Sequence, residues 1–246
     1  MTLRDSLEKQ GAWLFRWRSY VPLLLLIPTI GAMWRGQLAN SHESFRNAWE
    51  FLCLSTSCLG LFIRVVTVGF VPQGTSGRNT QYQLATVLNT SGLYSVVRNP
   101  LYLGNYLMFL GVALFPCAWW LPAIVSLVFW LYYERIVLAE EAFLVEKFGR
   151  HFEEWSAKTP AFIPKLSLWR NPTLSFSVRT VLRREYSGLM AMAAVFFFLE
   201  VLKHIFIGQS LPPEPLWLVI ILGTTALYLI LRILKRNTNI LKLQDR

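Results

Sequence analysis

Apolar blocks alternate with polar stretches along this chain of 246 residues, and the blocks approach the length a bilayer crossing needs. Tyr20 to Trp34 is the first, with Pro22 near its start and Pro28 at a position where a membrane helix can kink. Trp49 to Phe70 is the second, and Arg64 near its end is expected to snorkel toward the headgroups. From Leu101 no charge occurs until Glu134; that run holds more apolar residues than one helix uses. Pro116 and Pro122 near its middle predict two short antiparallel spans. Gly188 to Ile207 and Leu216 to Leu231 supply a last pair, joined by GQSLPPEP. The expected fold class is all-α, a polytopic membrane bundle of about six transmembrane helices with interfacial amphipathic helices beside them.

The polar stretches carry their own pattern. Leu3, Leu7, Leu14 and Trp17 recur at roughly helical spacing beside Arg16 and Arg18, which fits an interfacial helix and equally a frayed tail. Residues 71–99, with Pro72, Gly74, Gly77 and the run TSGRNT, form a loop too long for an idle turn. Residues 134–187 are the longest polar stretch. There Leu138, Phe143, Leu144 and Phe148 share a helical face, Gly149 is placed as a C-cap, and LSFSVRTVLRREY beyond Pro164 reads as a second interfacial helix.

Charge then sets topology. Apolar residues make up 54% of the chain, too many for an ordinary soluble domain when gathered in blocks, and the formal charge of +10 suits anionic headgroups better than nucleic acid. Lys and Arg concentrate in the N-terminal tail, in both long polar segments and at Lys235, Arg236, Lys242 and Arg246; the remaining loops hold little beyond Arg35 and Arg46. The positive-inside rule puts both termini and both polar segments in the cytoplasm. Cys53, Cys58 and Cys117 lie in apolar runs without CxxC or partner histidines, so packing is their expected role and no metal site is indicated. No cleavable signal sequence is expected.

Chemistry concentrates where the polar segments meet the apolar ones. Asn99 precedes a proline and is driven from the α region, so a helix should begin at Pro100 with free N–H groups and a positive dipole end suited to a carboxylate or phosphate. If both long segments share one membrane face, Arg78, Arg98, Asn99, Tyr102, Arg135, Glu140 and Glu141 come within reach of one another. Each also has a bland role: headgroup anchor for the arginines, dipole-stabilised helix start for the glutamates, aromatic belt for Tyr102. Glu200, Lys203 and His204 read as a local ion pair with snorkelling. The motifs GxGxxG, Walker A, HExxH and GxSxG are absent from the sequence.

The run GLYSVVRNPLYLGNYLMFLG, followed by EEAFLVEKFGRHFEEW and TPAFIP, resembles the membrane methyltransferases related to isoprenylcysteine carboxyl methyltransferase and the phospholipid methyltransferases. Their pattern is an RHPxY segment, EExxL, an FGxxYxxY run and a closing VP or IP. The likeness covers roughly residues 85–164. With TSGRNT upstream and FSVRTVLRREY downstream, the fuller pattern is similar to a bacterial lipid A 1-phosphate methyltransferase branch. This divides the chain into an N-terminal interfacial helix, two spans and loop (1–84), a cofactor-binding core with a helical hairpin (85–164), and an interfacial helix with a C-terminal pair (165–246).

The resemblance implies S-adenosylmethionine in a cytoplasm-facing pocket touched by Leu88, Asn89, Tyr94, Asn99, Pro100, Leu101, Tyr102, Glu140 and Glu141. Arg98 and Arg135 become the catalytic candidates, and with Arg78 they are expected to hold the substrate, a membrane lipid. Asn99 replaces the family's histidine, while Phe152 and Trp155 replace its tyrosines. An asparagine cannot take up a proton, so an acceptor that needs no base is favoured: an anionic oxygen, best a lipid phosphate matched by guanidinium forks. Alternatives are a prenylcysteine carboxylate, the amine of phosphatidylethanolamine, and a non-enzymatic lipid-binding or transport protein.

Overall fold

The computed structural model describes residues 2–18, 20–35, 42–72, 75, 83, 85–207 and 215–241. Helix α1, Leu3–Trp17, begins at a capping box in which Thr2 and Asp5 exchange side-chain and backbone hydrogen bonds. The Thr2 backbone N–H holds the Asp5 carboxyl below the ordinary carboxylate range. The tail is thus a helix, and it lies against another helix: Gly11 presses on the Arg135 carbonyl, where any Cβ would collide, and Phe15 is buried. A short 3₁₀ turn, Val21–Leu25, leads into α2, Leu26–Trp34. Pro28 falls in the first turn of α2, where its missing N–H costs nothing, so the expected kink becomes a helix start.

Helix α3, Glu43–Gly69, is the first long span. After it come the single turn α4, Leu93–Val96, then α5, Pro100–Leu114, and α6, Trp120–Phe148. The break near Pro116 is as expected, and Pro122 again sits in a first turn. The expectation of two short spans needs correction. α6 runs for 29 residues, about 43 Å, because nothing in Glu134 to Phe148 breaks a helix until Gly149, which caps it at φ 52°. The small helix α7, Arg150–Ser156, follows.

The predicted interfacial helix around LSFSVRTVLRREY is also revised. It merges with the fifth apolar run into one 30-residue helix, α8, Val178–Ile207, and α9, Pro215–Asn237, closes the described chain. Among the described residues four helices, α3, α6, α8 and α9, are long and apolar enough to cross a membrane; α5 and the stretch Val21–Trp34 are shorter apolar pieces. At 15 residues α5 spans about 22 Å, short of a hydrocarbon core of about 30 Å. The architecture is the expected polytopic helical bundle, with four long spans and two short apolar helical pieces. Among the described residues the only strand-like pairing is one bridge, Gly92 to Arg170.

α3 and α5 approach backbone to backbone. Gly60 faces the Gly104 carbonyl, Gly111 faces Cys53 and Ser57, and Ser57 Oγ donates to Met108 O at 2.9 Å. Their far end packs on α2, α8 and α9 through Met33, Cys53, Phe115, Phe196, Leu199 and Trp217. In this region the expectation of snorkelling fails. Lys203 is 7% exposed and pairs with Glu50 of α3 at 2.6 Å and Glu200 at 2.7 Å, and Glu200, 1% exposed, also meets His204 at 3.2 Å. The ammonium is neutralised across the helix interface, so it has no need to reach the surface.

Candidate functional site

The local backbone explains how the site is assembled. Gly92 takes φ 59°, a conformation open to glycine, and its N–H donates to Arg170 O at 2.9 Å. Ser95 Oγ accepts from Arg170 N at 2.9 Å, Arg98 N donates to Pro160 O at 2.8 Å, and Lys165 N donates to Val96 O at 2.9 Å. The Arg98 guanidinium donates to Ser156 O and Asn99 Nδ2 to Ala161 O. Two polar segments about sixty residues apart in sequence are thereby stitched edge to edge.

α5 starts at Pro100 as the X-Pro rule requires, but its first turn is more closed than the sequence suggests. The N–H groups of Tyr102 and Leu103 both donate to Asn99 O, each at 3.1 Å, and Pro100 has none. Recognition of an anion here therefore falls mainly to side chains. Tyr102 Oη donates to Glu140 Oε1 at 2.9 Å, Arg18 lies 3.6 Å from the same oxygen, and Arg98 pairs with Glu141 at 3.1 Å. Tyr133 stacks obliquely beside Tyr102, ring centroids 4.6 Å apart, and its hydroxyl accepts from Asn105 Nδ2 at 3.3 Å.

These groups border a cavity of about 480 Å³. Leu88, Asn89, Tyr94, Asn99, Leu101, Tyr102 and Glu140 all line it, as does Arg98. Pro100 is buried at the helix start and Glu141 lies behind Arg98, both outside the lining. Arg78 lies outside the described residues. Arg135 does not join the cluster: its Nε donates to Gln10 Oε1 at 3.1 Å and another nitrogen donates to Leu131 O, on the exposed side of α6. Five residues separate it from Glu140, about 140° around the helix, so both cannot face one cavity.

Several lining residues escaped the sequence reading. Tyr133 lies seven positions before Glu140 and Asn105 three after Tyr102, spacings that put each on the cavity-facing side of its helix. Arg18, Arg64, Arg184 and Glu185 carried no comparable local signal, since they come from α3, α8 and the end of α1. Four arginines, Arg18, Arg64, Arg98 and Arg184, and two glutamates, Glu140 and Glu185, line the cavity, with Glu141 behind Arg98. Phe143, Leu144 and Leu88 add apolar wall, and Trp155 Nε1 is buried with no hydrogen-bond partner among the described residues.

Residues 51–151, from α3 to the start of α7, match the family model described as phospholipid methyltransferase. The chain is 31% identical over 123 residues to the protein-S-isoprenylcysteine O-methyltransferase of Schizosaccharomyces pombe, covering 48% of this chain and 50% of that protein. It is 34% identical over 130 residues to the cobalt-zinc-cadmium resistance protein CzcN of Cupriavidus metallidurans, covering 52% and 57%. With the nickel-cobalt-cadmium resistance protein NccN of Alcaligenes xylosoxydans the figures are 31% over 157 residues, 63% and 66%. The chain thus spans from half to just under two thirds of the length of these relatives. No solved structure matches. The matched domain and the yeast relative support a membrane methyltransferase.

Proposed function

We propose that this protein is an S-adenosylmethionine-dependent methyltransferase that methylates an anionic oxygen on a membrane lipid, working from the cytoplasmic side of a bacterial inner membrane. One observation carries the reading: a single cavity at the edge of the bundle combines a tyrosine-bonded glutamate with an excess of arginine. The residues suit the cofactor. Glu140, Asn89 and Asn99 offer polar contacts for an amino-acid end and ribose hydroxyls, Leu88, Phe143 and Leu144 an apolar slot, and Trp155 Nε1 a buried donor in want of an acceptor. When bound, S-adenosylmethionine supplies an electrophilic methyl group on a cationic sulfur.

What the chain contributes is position and dryness. Tyr102 and Arg18 fix the Glu140 carboxylate, and Arg98 is held by Glu141 and by the Ser156 carbonyl, so little reorganisation accompanies binding. Asn99 cannot accept a proton as the family's histidine could, and its amide is engaged with Ala161 O. A phosphate or carboxylate needs no deprotonation, whereas an ammonium would. The arginine excess favours phosphate, the lipid A 1-phosphate being one such acceptor. The yeast relative's name favours a second acceptor of the same chemistry, the carboxylate of a prenylated cysteine.

The test is direct. Purified protein incubated with methyl-labelled S-adenosylmethionine and total lipid of its host should label one lipid and raise its mass by a CH₂ group. Absence of label from every lipid, together with vectorial solute flux in proteoliposomes, would replace the enzyme with a transporter. If Glu140→Gln and Tyr102→Ala each leave S-adenosylmethionine affinity unchanged, the pocket is assigned to the wrong residues.

A further inference from the structure

The family match ends at residue 151, yet the cavity does not. α8 adds Arg184, Glu185 and Gly188 to its lining, facing Arg64 and Val68 of α3. Arg64 Nε and an Nη donate to the two oxygens of Glu185 at 2.9 and 2.8 Å, and its other Nη donates to Asn105 Oδ1 at 2.7 Å. Glu185 is 4% exposed. This is a bidentate fork held from a second direction by an amide, so the plane of the guanidinium is fixed. Among the described residues three of its five N–H donors are used, which leaves two without a partner there. Arg184 donates to Thr75 O at 3.0 Å beside the same wall. Next to these cations the lining turns apolar at Val68, Met108 and Phe109.

We propose that this α3–α8 wall selects the methyl acceptor: Arg184 and Arg64 hold the anionic headgroup of a lipid, its acyl portion runs along Val68, Met108 and Phe109, and Glu185 is a positioning residue that sets Arg64. The inference rests on the methyltransferase reading and adds which part of the chain recognises the acceptor. A salt bridge that merely joined α3 to α8 would have no need of an open face, and those helices are already joined by Glu50 and Lys203. On its α8 side the wall lies outside the matched domain, and on this proposal acceptor choice can be altered there without altering donor binding.

The full chain, purified in detergent, is titrated with dioleoyl phosphatidate, dioleoyl phosphatidylcholine and inorganic phosphate, and separately with S-adenosylmethionine. The native protein should prefer phosphatidate to phosphatidylcholine by about tenfold or more and show no saturable response to inorganic phosphate. Arg184→Gln, and the neutral pair Arg64→Gln with Glu185→Gln, should each weaken phosphatidate binding about tenfold while changing S-adenosylmethionine affinity less than about twofold. The double variant keeps an uncharged, similarly sized contact, so a purely structural pair predicts native lipid affinity, and that result would overturn the proposal. Equal responses to inorganic phosphate and phosphatidate, or a parallel loss of S-adenosylmethionine binding, would overturn it too. Should the double variant fail to fold, Arg184→Gln alone decides, read as phosphatidate affinity against S-adenosylmethionine affinity on the folded protein. If the native protein binds phosphatidate as described but not S-adenosylmethionine, it is the methyltransferase reading that falls.

Discussion

α3 and α8 are clasped twice by buried charge, and the two clasps differ in what surrounds them. At one end Arg64 meets Glu185 beside an open cavity, with Asn105 and Arg184 close by. At the other, Lys203 is enclosed by Glu50 and Glu200 amid the core residues Trp49, Cys53, Leu199 and Leu202. Positions 50 and 64 are about 21 Å apart along α3. The closed clasp gains its strength from exclusion of water and does nothing else that the structure reveals; the open one keeps donors in hand. Burial alone therefore does not mark a functional charge in a membrane protein. What marks it is unsatisfied capacity facing a space that a ligand can occupy.

The sharpest way to break this contrast is Lys203→Met, which leaves Glu50 and Glu200 buried without their counter-charge. It should cost about 3–5 kcal/mol, read as a lowered unfolding temperature in detergent, with methyl transfer per folded molecule unchanged. A loss of transfer beyond the unfolded fraction would mean the closed clasp also serves the reaction. Next comes Gly104→Val. A Cβ there lies 2.6 Å from Arg64 Cγ and 2.7 Å from Gly60 O, so the substitution should wedge α3 from α5 and displace Arg64, costing about 1–3 kcal/mol and weakening lipid binding as well.

Tyr102→Phe removes only the hydroxyl that donates to Glu140. It should lower S-adenosylmethionine affinity about tenfold and leave phosphatidate binding alone, separating the donor end of the cavity from the open clasp. The smallest effect belongs to Arg135→Gln, which loses an exposed contact to Gln10; stability should stay within about 0.5 kcal/mol and both affinities should hold. If that variant abolishes methyl transfer, the cavity described is not the whole site.

How much of this was legible beforehand depends on how local each cause is. The start of α5 at Pro100 and the end of α6 at Gly149 follow from steric rules acting on one or two residues, and both were readable. The contacts of Tyr102 with Glu140 and of Arg98 with Glu141 followed from two polar segments sharing one face. Arg135 was matched to the family's arginine before the glutamate pair, and at five residues from Glu140 the 100° turn per residue sets it on another side of α6, against Gln10. The α8 charges looked interfacial because the partner that lets them be buried is Arg64, 121 positions earlier in the chain. Lys203 poses the same difficulty: its spacing to Glu200 was visible, but Glu50 on another helix was not.

The strapping of α1 along α6 has a practical consequence. Arg18, just past the end of α1, reaches across to Glu140 and packs its guanidinium 4.0 Å above the Phe15 ring. Deleting the first eighteen residues would remove a cation from the rim of the cofactor cavity while sparing every bilayer-crossing helix. A bulky fusion at that end risks the same injury, so affinity handles for purification belong at the opposite terminus.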